Sequence, residues 1–330
     1  MQAVLLETID GSVTPVLSTI EPPALRPGSL RIAVHAASIN RADLLIRAGT
    51  HTPAAADGPA VAGLDACGAV LEVAADVTDF APGDRVMAMV PGGLAEQVVV
   101  PAAAAVPVPV GWSFVEGAAA ITALMTEHNA LAASARLQPG ETVLVHAAAS
   151  GVATQAIKLA RVLGAGRVYG TTRSRAPEQQ LLDALGLDEL INTVETSFAD
   201  RVLELTGDRG ADVILDHVGG PYLEDNLRAA AIKVRIIGVG RLGGAIGTLN
   251  MEELARKRVE LIGVTFRTRS DDEKLAIARA LRTVDLEANA AALRPLIDCT
   301  YPWDRVLEAQ HRLAGNTHLG KIVLELTPQH

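Results

Sequence analysis

The stretch 143–161 contains the residues best suited to chemistry. Its sequence, VLVHAAASGVATQAIKLAR, runs from an apolar strand pattern through small residues into an amphipathic helix pattern. Small residues let main-chain N–H groups approach a pyrophosphate, and the start of the helix adds partial positive charge. We therefore predict that Ser150, Gly151 and Val152 contact the pyrophosphate of a dinucleotide. An α/β turn without a ligand is the alternative, because Gly151 is the only glycine of the usual three.

Two arginines follow the next predicted strand. That strand, residues 167–171, leads into Arg173, Ser174 and Arg175, and the segment contains no acidic residue. An Asp or Glu at this point binds the 2′-hydroxyl of NAD, whereas arginine suits a 2′-phosphate. The segment predicts NADPH, with these three residues around the phosphate; a solvated loop is the alternative.

Strands and helices alternate around these segments. A helix is predicted over residues 115–135, a strand over 142–146 and a helix over 151–163. The later strands are predicted at 167–171, 189–191, 212–216, 235–239 and 259–264, and the later helices at 177–185, 198–205, 222–230 and 251–257. This alternation with short turns is typical of an α/β fold with a doubly wound parallel Rossmann sheet.

The flanking parts of the chain have a different pattern. Short strands separated by Gly and Pro turns are predicted within residues 1–110, beginning with 29–37. A helix is predicted at 271–283, followed by a helix at 303–313 and a strand at 320–326. A closing strand after the helical half indicates that the chain returns to the first domain.

Composition excludes several classes of protein. The 330 residues suggest about two domains, and the net charge of −9 argues against nucleic-acid or anionic-membrane partners. The two cysteines, Cys67 and Cys299, exclude a disulfide scaffold and a four-cysteine zinc lobe. No signal-peptide pattern or membrane-length apolar run is found, so we expect a cytoplasmic protein.

A series of short segments resembles one family. In order and spacing they resemble the zinc-independent quinone oxidoreductases, the zeta-crystallin-like branch of the medium-chain dehydrogenase/reductase superfamily. The segments are NRAD at 40–43, GLD at 63–65, GDRV at 83–86, GGLAE at 92–96, GETVLVH at 140–146, SGV at 150–152, DHVGG at 216–220, GRLGG at 240–244 and HLGKIV at 318–323.

The resemblance implies two domains and a homodimer. Residues 1–120 and 267–330 are expected to form a GroES-like β-barrel domain for catalysis and substrate binding, and 121–266 a Rossmann domain for NADPH. The predicted strands 235–239 and 259–264 are the expected dimer contacts.

The resemblance also bears on metal. Zinc-dependent relatives place ligands where this chain has Ser-Ile-Asn at 38–40 and Gly-Leu-Asp at 63–65. No metal site is therefore expected. The resemblance implies an oxidoreductase that transfers a hydride from NADPH to a quinone or an α,β-unsaturated carbonyl without a metal. Such a reaction needs hydrogen-bond donors at the developing oxyanion.

Three catalytic residues are implied. Asn40 is expected near the nicotinamide as a hydrogen-bond donor, although it could instead cap a turn. Asp43 is expected to orient its neighbours, or only to cap the following helix. His51 stands where many relatives have a substrate-facing Tyr. It could supply a proton because histidine changes charge near neutrality, or it could be a surface-loop residue.

Further cofactor contacts follow from the resemblance. Lys321 could reach a phosphate or be an ordinary residue at a strand start, and Thr193 replaces a tyrosine that often contacts adenine. The other implied contacts are Thr126, Val218, Gly219, Gly240, Arg241, Leu242 and Phe266.

Two other functions remain open. One is an enoyl or acrylyl thioester reductase of a biosynthetic pathway, which shares this scaffold. The other is a non-catalytic NADPH-binding or sensing protein, since the chain departs from the family pattern at several positions.

Overall fold

Two compact units make up the chain. The computed structural model describes residues 1–9, 11–51, 59–173 and 178–326, without the side chains of 178–180. One unit, here called the β-rich unit, comprises Met1–Met125 and Asp271–His330; the other, the α/β unit, comprises Thr126–Ser270. The domain boundaries predicted from sequence, after residues 120 and 266, stay a proposal.

Within residues 1–110, the described elements are short strands and two short helical segments, as the strand-rich pattern predicts. The strands β1 and β2 form an antiparallel hairpin. The elements are β1 Gln2–Ile9, β2 Ser12–Thr19, β3 Ser29–Ile39, α1 Arg41–Arg47, β4 Asp65–Val73, β5 Arg85–Met89, β6 Gln97–Pro101, β7 Val106–Pro107 and α2 Phe114–His128.

The predicted helix over 115–135 is only partly α-helical. After His128 the chain forms a π-helical segment, Asn129–Ser134, in which the Ala135 N–H donates to the Ala130 carbonyl at 2.8 Å. The five-residue spacing of this bond accommodates one extra residue in the turn.

The α/β unit contains a six-stranded parallel sheet. Its elements are β8 Thr142–Val145, α3 Ala153–Val162, β9 Arg167–Thr172, α4 Glu178–Leu185, β10 Glu189–Asn192, α5 Phe198–Thr206, β11 Ala211–Asp216, α6 Leu223–Ala229, β12 Ala230–Gly238, α7 Met251–Lys257 and β13 Glu260–Gly263. The strand order is β10-β9-β8-β11-β12-β13, and every neighbouring pair is parallel. The predicted doubly wound sheet is confirmed.

The strand order defines a topological switch point. From β8 the chain builds β9 and β10 on one side, and then returns to add β11, β12 and β13 on the other. In sheets of this kind, ligands bind at the carboxyl ends of the strands beside such a switch point, here between β8 and β11. All four residues of β8 are buried, as are all those of β11 except Asp212.

The tail completes the sheet of the β-rich unit. Its elements are α8 Asp271–Leu281, α9 Ala290–Leu293, β14 Ile297–Pro302, α10 Val306–Ala314 and β15 Lys321–Glu325. The strand β15 pairs antiparallel with β3, within the order β14-β15-β3-β4-β5-β7, and β6 also pairs with β3. The predicted return of the chain is therefore confirmed, whereas β14 was not predicted. Among the described residues, no helix has the length and apolarity needed to cross a bilayer.

Candidate active site

The turn after β8 has the features of an anion-binding site. Ala147 adopts a positive φ of 54° and turns the chain away from the strand. The Ser150 hydroxyl caps α3 by accepting the Ala153 N–H at 3.2 Å. The N–H groups of Gly151 and Val152 find no acceptor among the described residues. These two donors at the start of a ten-residue helix suit a pyrophosphate.

The loops after β11 and β12 are bonded to each other. The Asp216 carboxylate accepts the N–H groups of Val218 and Gly219, both at 2.8 Å. The Gly240 N–H donates to the Asp216 carbonyl at 3.0 Å, and the Leu242 N–H donates to the His217 carbonyl at 3.1 Å. The structure thus brings the two predicted cofactor segments, 218–219 and 240–242, into adjacent loops.

The remaining predicted cofactor contacts in this unit lie in several places. Arg173 follows β9 and is exposed, Phe266 follows β13 and is half-buried, and Thr126 lies in the last turn of α2. Ser174 and Arg175 lie outside the described residues. Except for Thr126, the described contacts follow the carboxyl ends of the strands, where parallel sheets bind ligands. The residues present therefore fit a dinucleotide.

A buried polar chain supports this edge of the sheet. Burial lowers the pKa of His146, so its ring is neutral. It accepts the Thr171 hydroxyl at Nδ1, 2.9 Å away, and donates from Nε2 to Asn226 Oδ1, 2.6 Å away. The Asn226 amide donates in turn to Asp216 at 3.0 Å. This series of hydrogen-bonded side chains links the carboxyl ends of β8, β9 and β11, and sequence reasoning did not predict it.

The β-rich unit contains a buried polar group of side chains, here called the Asp65 cluster. At its centre, Asp65 Oδ1 accepts the Ser38 N–H at 2.5 Å, and Oδ2 accepts the hydroxyls of Ser38 and Thr122 at 2.5 and 2.8 Å. Asp65 is fully buried, so these bonds replace its hydration. The cluster comprises Ser38, Asn40, Asp43, Asp65, Thr122 and Lys321.

The Asn40 amide is fully engaged in this cluster. Its oxygen accepts the Lys321 ammonium at 2.8 Å, and its nitrogen donates to Asp65 Oδ2 at 2.9 Å and to the Ser38 carbonyl at 3.1 Å. Because both amide hydrogens are used, donation to a substrate oxygen would require an exchange of one bond. The predicted donor role of Asn40 stays a prediction.

Lys321 begins β15, as the alternative assignment predicted, but its buried contacts were not predicted. Its side chain is buried, and its ammonium donates to Asn40 and to the Ile39 carbonyl, 3.4 Å away. Burial lowers its pKa, while the charges of Asp65 and Asp43 act in the opposite direction. The ammonium therefore serves as the counterion of the cluster, and the predicted phosphate contact stays a prediction.

Asp43 caps α1 from inside the cluster. Its carboxylate accepts the Asn40 N–H at 2.7 Å. Burial, aided by the negative charge of Asp65, raises the pKa of Asp43 from 3.8 to about 7. The folded state therefore holds a proton that the unfolded chain has released, so the contribution of Asp43 to stability falls as the pH rises through this interval.

His51 is half-buried near the end of α1. Its main-chain N–H donates to the Leu45 carbonyl at 3.1 Å. Its ring Nδ1 is buried without a hydrogen-bond partner among the described residues. Residues 52–58 that follow lie outside the described part. Its predicted substrate role stays a prediction.

Comparison with known proteins gives two matching family models. The "Alcohol dehydrogenase GroES-like domain" model matches residues 26–110, and the "Zinc-binding dehydrogenase" model matches residues 151–282. Quinone oxidoreductase of Rattus norvegicus is 30% identical over 312 residues, covering 94% of this chain and 92% of the rat protein. The chain belongs to the quinone oxidoreductase family. It is thus an enzyme of the medium-chain dehydrogenase/reductase type, with a Rossmann unit that binds a nicotinamide cofactor.

Other similar proteins widen the range of chemistry. The polyketide synthase component PikAII of Streptomyces venezuelae is 31% identical over 312 residues, 93% of this chain but 8% of that protein. Among solved structures, an NAD-dependent alcohol dehydrogenase has a TM-score of 0.84 at 28% identity, covering 99% of this chain and 100% of that one. A mycobacterial protein complexed with NADPH has a TM-score of 0.81 at 27% identity, covering 98% and 100%.

The Asp65 cluster was the main omission of sequence reasoning. The segments at 38–40 and 63–65 were recognised as the places of zinc ligands in relatives, but not as partners of each other or of Lys321. The acidic residue at 65 beside apolar neighbours was the available signal, since a buried carboxylate requires donors and a counterion.

Proposed function

We propose that the protein reduces a quinone or an α,β-unsaturated carbonyl with NADPH and without a metal. The Asp65 cluster is the observation that carries this proposal. At the positions of zinc ligands in zinc-dependent relatives, Ser38 and Asp65 are bonded to each other, and the Lys321 ammonium supplies the positive charge. The described residues contain no group of three or more His, Cys, Asp or Glu able to hold a metal.

The preference for NADPH is supported by the end of β9. When bound, the cofactor supplies the hydride. The exposed Arg173 follows the strand without an acidic neighbour at 172–175, so an anionic 2′-phosphate is favoured there. With Ser174 and Arg175, Arg173 would bind this phosphate, and the N–H groups of Gly151 and Val152 would bind the pyrophosphate.

The acceptor requires a proton after hydride addition. Addition to a conjugated carbonyl places negative charge on its oxygen, and protonation completes the reduction. We assign to His51 the donation of this proton to the reduced acceptor, and to Asn40 and Asp43 the positioning of the residues around the acceptor. Thr126, Phe266 and the loops containing Val218–Gly219 and Gly240–Leu242 would orient the nicotinamide.

Oxidation of NADPH and NADH with a quinone, an enone and an enoyl thioester tests the proposal. We expect turnover with NADPH and the quinone or enone. Arg173→Ala should weaken NADPH binding at least about tenfold, the size of one lost bond to a charged group, and spare NADH. Arg167→Ala, at the opposite end of β9, is the control. Equal use of NADH by the wild type, or an unaffected Arg173→Ala variant, would contradict the NADPH assignment.

A second function is favoured by the polyketide synthase relative. Its similarity extends over nearly the whole of this chain, which supports a reductase of enoyl or acrylyl thioesters. Faster turnover of the thioester than of the enone would favour this function over the first. Tight NADPH binding without turnover of any acceptor would instead favour a binding or sensing role.

The outer strand of the α/β sheet suggests a homodimer. The strand β13 lies at the sheet edge, and Leu261 on it is 48% exposed. Because open edges pair readily with other chains, we propose that a second copy covers β13. Light scattering should give twice the mass of 34.4 kDa, and a monomer would contradict the proposal.

A cytoplasmic location is proposed as well, since both cysteines are free.

A further inference from the structure

A buried ion pair lies beside the proposed cofactor site. Glu127, in the last turn of α2, has its Oε1 atom 3.0 Å from Nε2 of His217, which follows β11. The Glu127 side chain is fully buried and that of His217 is 5% exposed. The second oxygen of Glu127 has no hydrogen-bond partner among the described residues. The carboxylate is therefore stabilised mainly by the imidazole.

His217 lies at the topological switch point. It directly follows β11, which is the neighbour of β8 in the sheet, and it precedes Val218. Its carbonyl accepts the Leu242 N–H, and a Cβ added to Gly240 would lie 2.5 Å from the same oxygen. The main chain of His217 is thus fixed against both cofactor loops, and a shift of His217 would displace them.

The surroundings of His217 favour its charged form. Burial opposes the charge, but Glu127, the adjacent Asp216 and the His146 main-chain carbonyl raise the pKa of His217 above its ordinary value. His146 itself is neutral, because burial lowers its pKa. His217 therefore holds a proton more readily than His146 does.

We propose that Glu127 and His217 are positioning residues, whose buried ion pair holds the two cofactor loops in place. When His217 loses its proton, the ion pair is lost and dinucleotide binding weakens. The inference rests on the proposed binding of NADPH at this edge of the sheet. Neither residue needs to touch the cofactor, because the pair acts through the His217 main chain.

The direction of the pH effect follows from the raised pKa. The stabilisation by the pair is complete below the ordinary value of 6.5 and is lost as the pH rises through the higher value of the folded state. Both the stability of the α/β unit and its affinity for NADPH should fall on the alkaline side.

The test combines imidazole NMR of the cofactor-free protein with NADPH binding by fluorescence. His217, assigned with His217→Gln, should titrate above 6.5 in the wild type and at lower pH in Glu127→Gln. At a pH between these two midpoints, Glu127→Gln should bind NADPH at least about fivefold more weakly than the wild type, within the usual range of coupling between sites. The wild-type dissociation constant should rise with the same midpoint as the His217 titration.

Two further variants serve as controls for misfolding and for the general effect of breaking an ion pair. Glu127→Gln/His217→Gln replaces the ion pair with neutral amides, so it should fold even if His217→Gln alone does not. Its dissociation constant for NADPH should lack the His217-linked rise with pH. Arg201→Gln breaks the ion pair of Arg201 with Glu189 at the amino end of β10 and should leave affinity unchanged.

Several outcomes would overturn the inference. An ordinary midpoint for His217, or unchanged affinity in Glu127→Gln, would refute it while leaving the proposed function intact. Absence of NADPH binding by the wild type at every pH would refute the proposed cofactor, and the NMR midpoints would still report on the ion pair.

Discussion

Asp65→Asn should destabilise the protein by about 3–5 kcal/mol, the usual cost of leaving an opposite buried charge uncompensated. The Asn amide group would direct hydrogens at the donors of Ser38, Asn40 or Thr122, which now converge on the carboxylate. It would also leave the buried Lys321 ammonium with one acidic neighbour, Asp43. Urea unfolding at pH 7 measures the change, with an unchanged m-value as evidence of the same transition.

The same strand offers a matched control. Glu72 of β4 pairs with Arg31 at 3.2 Å, but its side chain is 57% exposed. Because exposed ion pairs contribute little, Glu72→Gln should cost less than about 1 kcal/mol. If the free energy of unfolding fell equally little in Asp65→Asn and in Glu72→Gln, the Asp65 cluster would not stabilise the β-rich unit.

The pH dependence of stability gives a second readout of this substitution. In the wild type, the contribution of Asp43 declines as the pH rises from 3.8 to about 7. Without the charge of Asp65, burial alone raises the pKa of Asp43, while Lys321 still lowers it. The decline in Asp65→Asn should therefore end at a lower pH than in the wild type.

Gly240→Ala should reduce the affinity for NADPH at least about tenfold, a loss of about 1.4 kcal/mol of binding energy. The added Cβ would lie 2.5 Å from the carbonyl oxygen and 3.0 Å from the Cα of His217. Both are main-chain atoms, so the two loops must separate to admit the methyl group. Fluorescence titration of the folded variant with NADPH measures the effect.

Gly238→Ala is the control for this substitution. It lies in β12, two residues earlier, and its Cβ would have one neighbour, the Ile262 carbonyl oxygen at an ordinary 3.8 Å. Its affinity for NADPH should match that of the wild type. Equal affinities of the Gly238→Ala and Gly240→Ala variants would show that close contact of the loops is not required for binding.

The elements of the α/β unit were predictable because their signals are local. Buried runs such as β8 and amphipathic segments such as α3 are bounded by Gly and Pro, and their alternation implies a parallel sheet. The strand β14, with Asp298 inside it and Pro302 at its end, lacks such a pattern. It became a strand because β15 provides a partner.

The polar contacts of the site were far less predictable. Periodicity shows which face of an element is buried, but not which residue it meets. Lys321 and Asn40 are 281 positions apart, and His217 and Glu127 are 90 apart. The contacts depend on strand order and register, which arise from the whole sheet. The turn at 150–152 was recognisable because its strand, turn and helix are contiguous.

The pairing of β15 with β3 has a consequence during synthesis. The ribosome releases the strands of the α/β unit, through β13, well before it releases β15. The α/β unit can therefore fold first, while residues 36–39 of β3 lack their β15 partner and Asp65 lacks its Lys321 counterion. At a synthesis rate of ~5–20 residues per second, the nascent chain exposes this short strand edge for several seconds, during which it is accessible to chaperones.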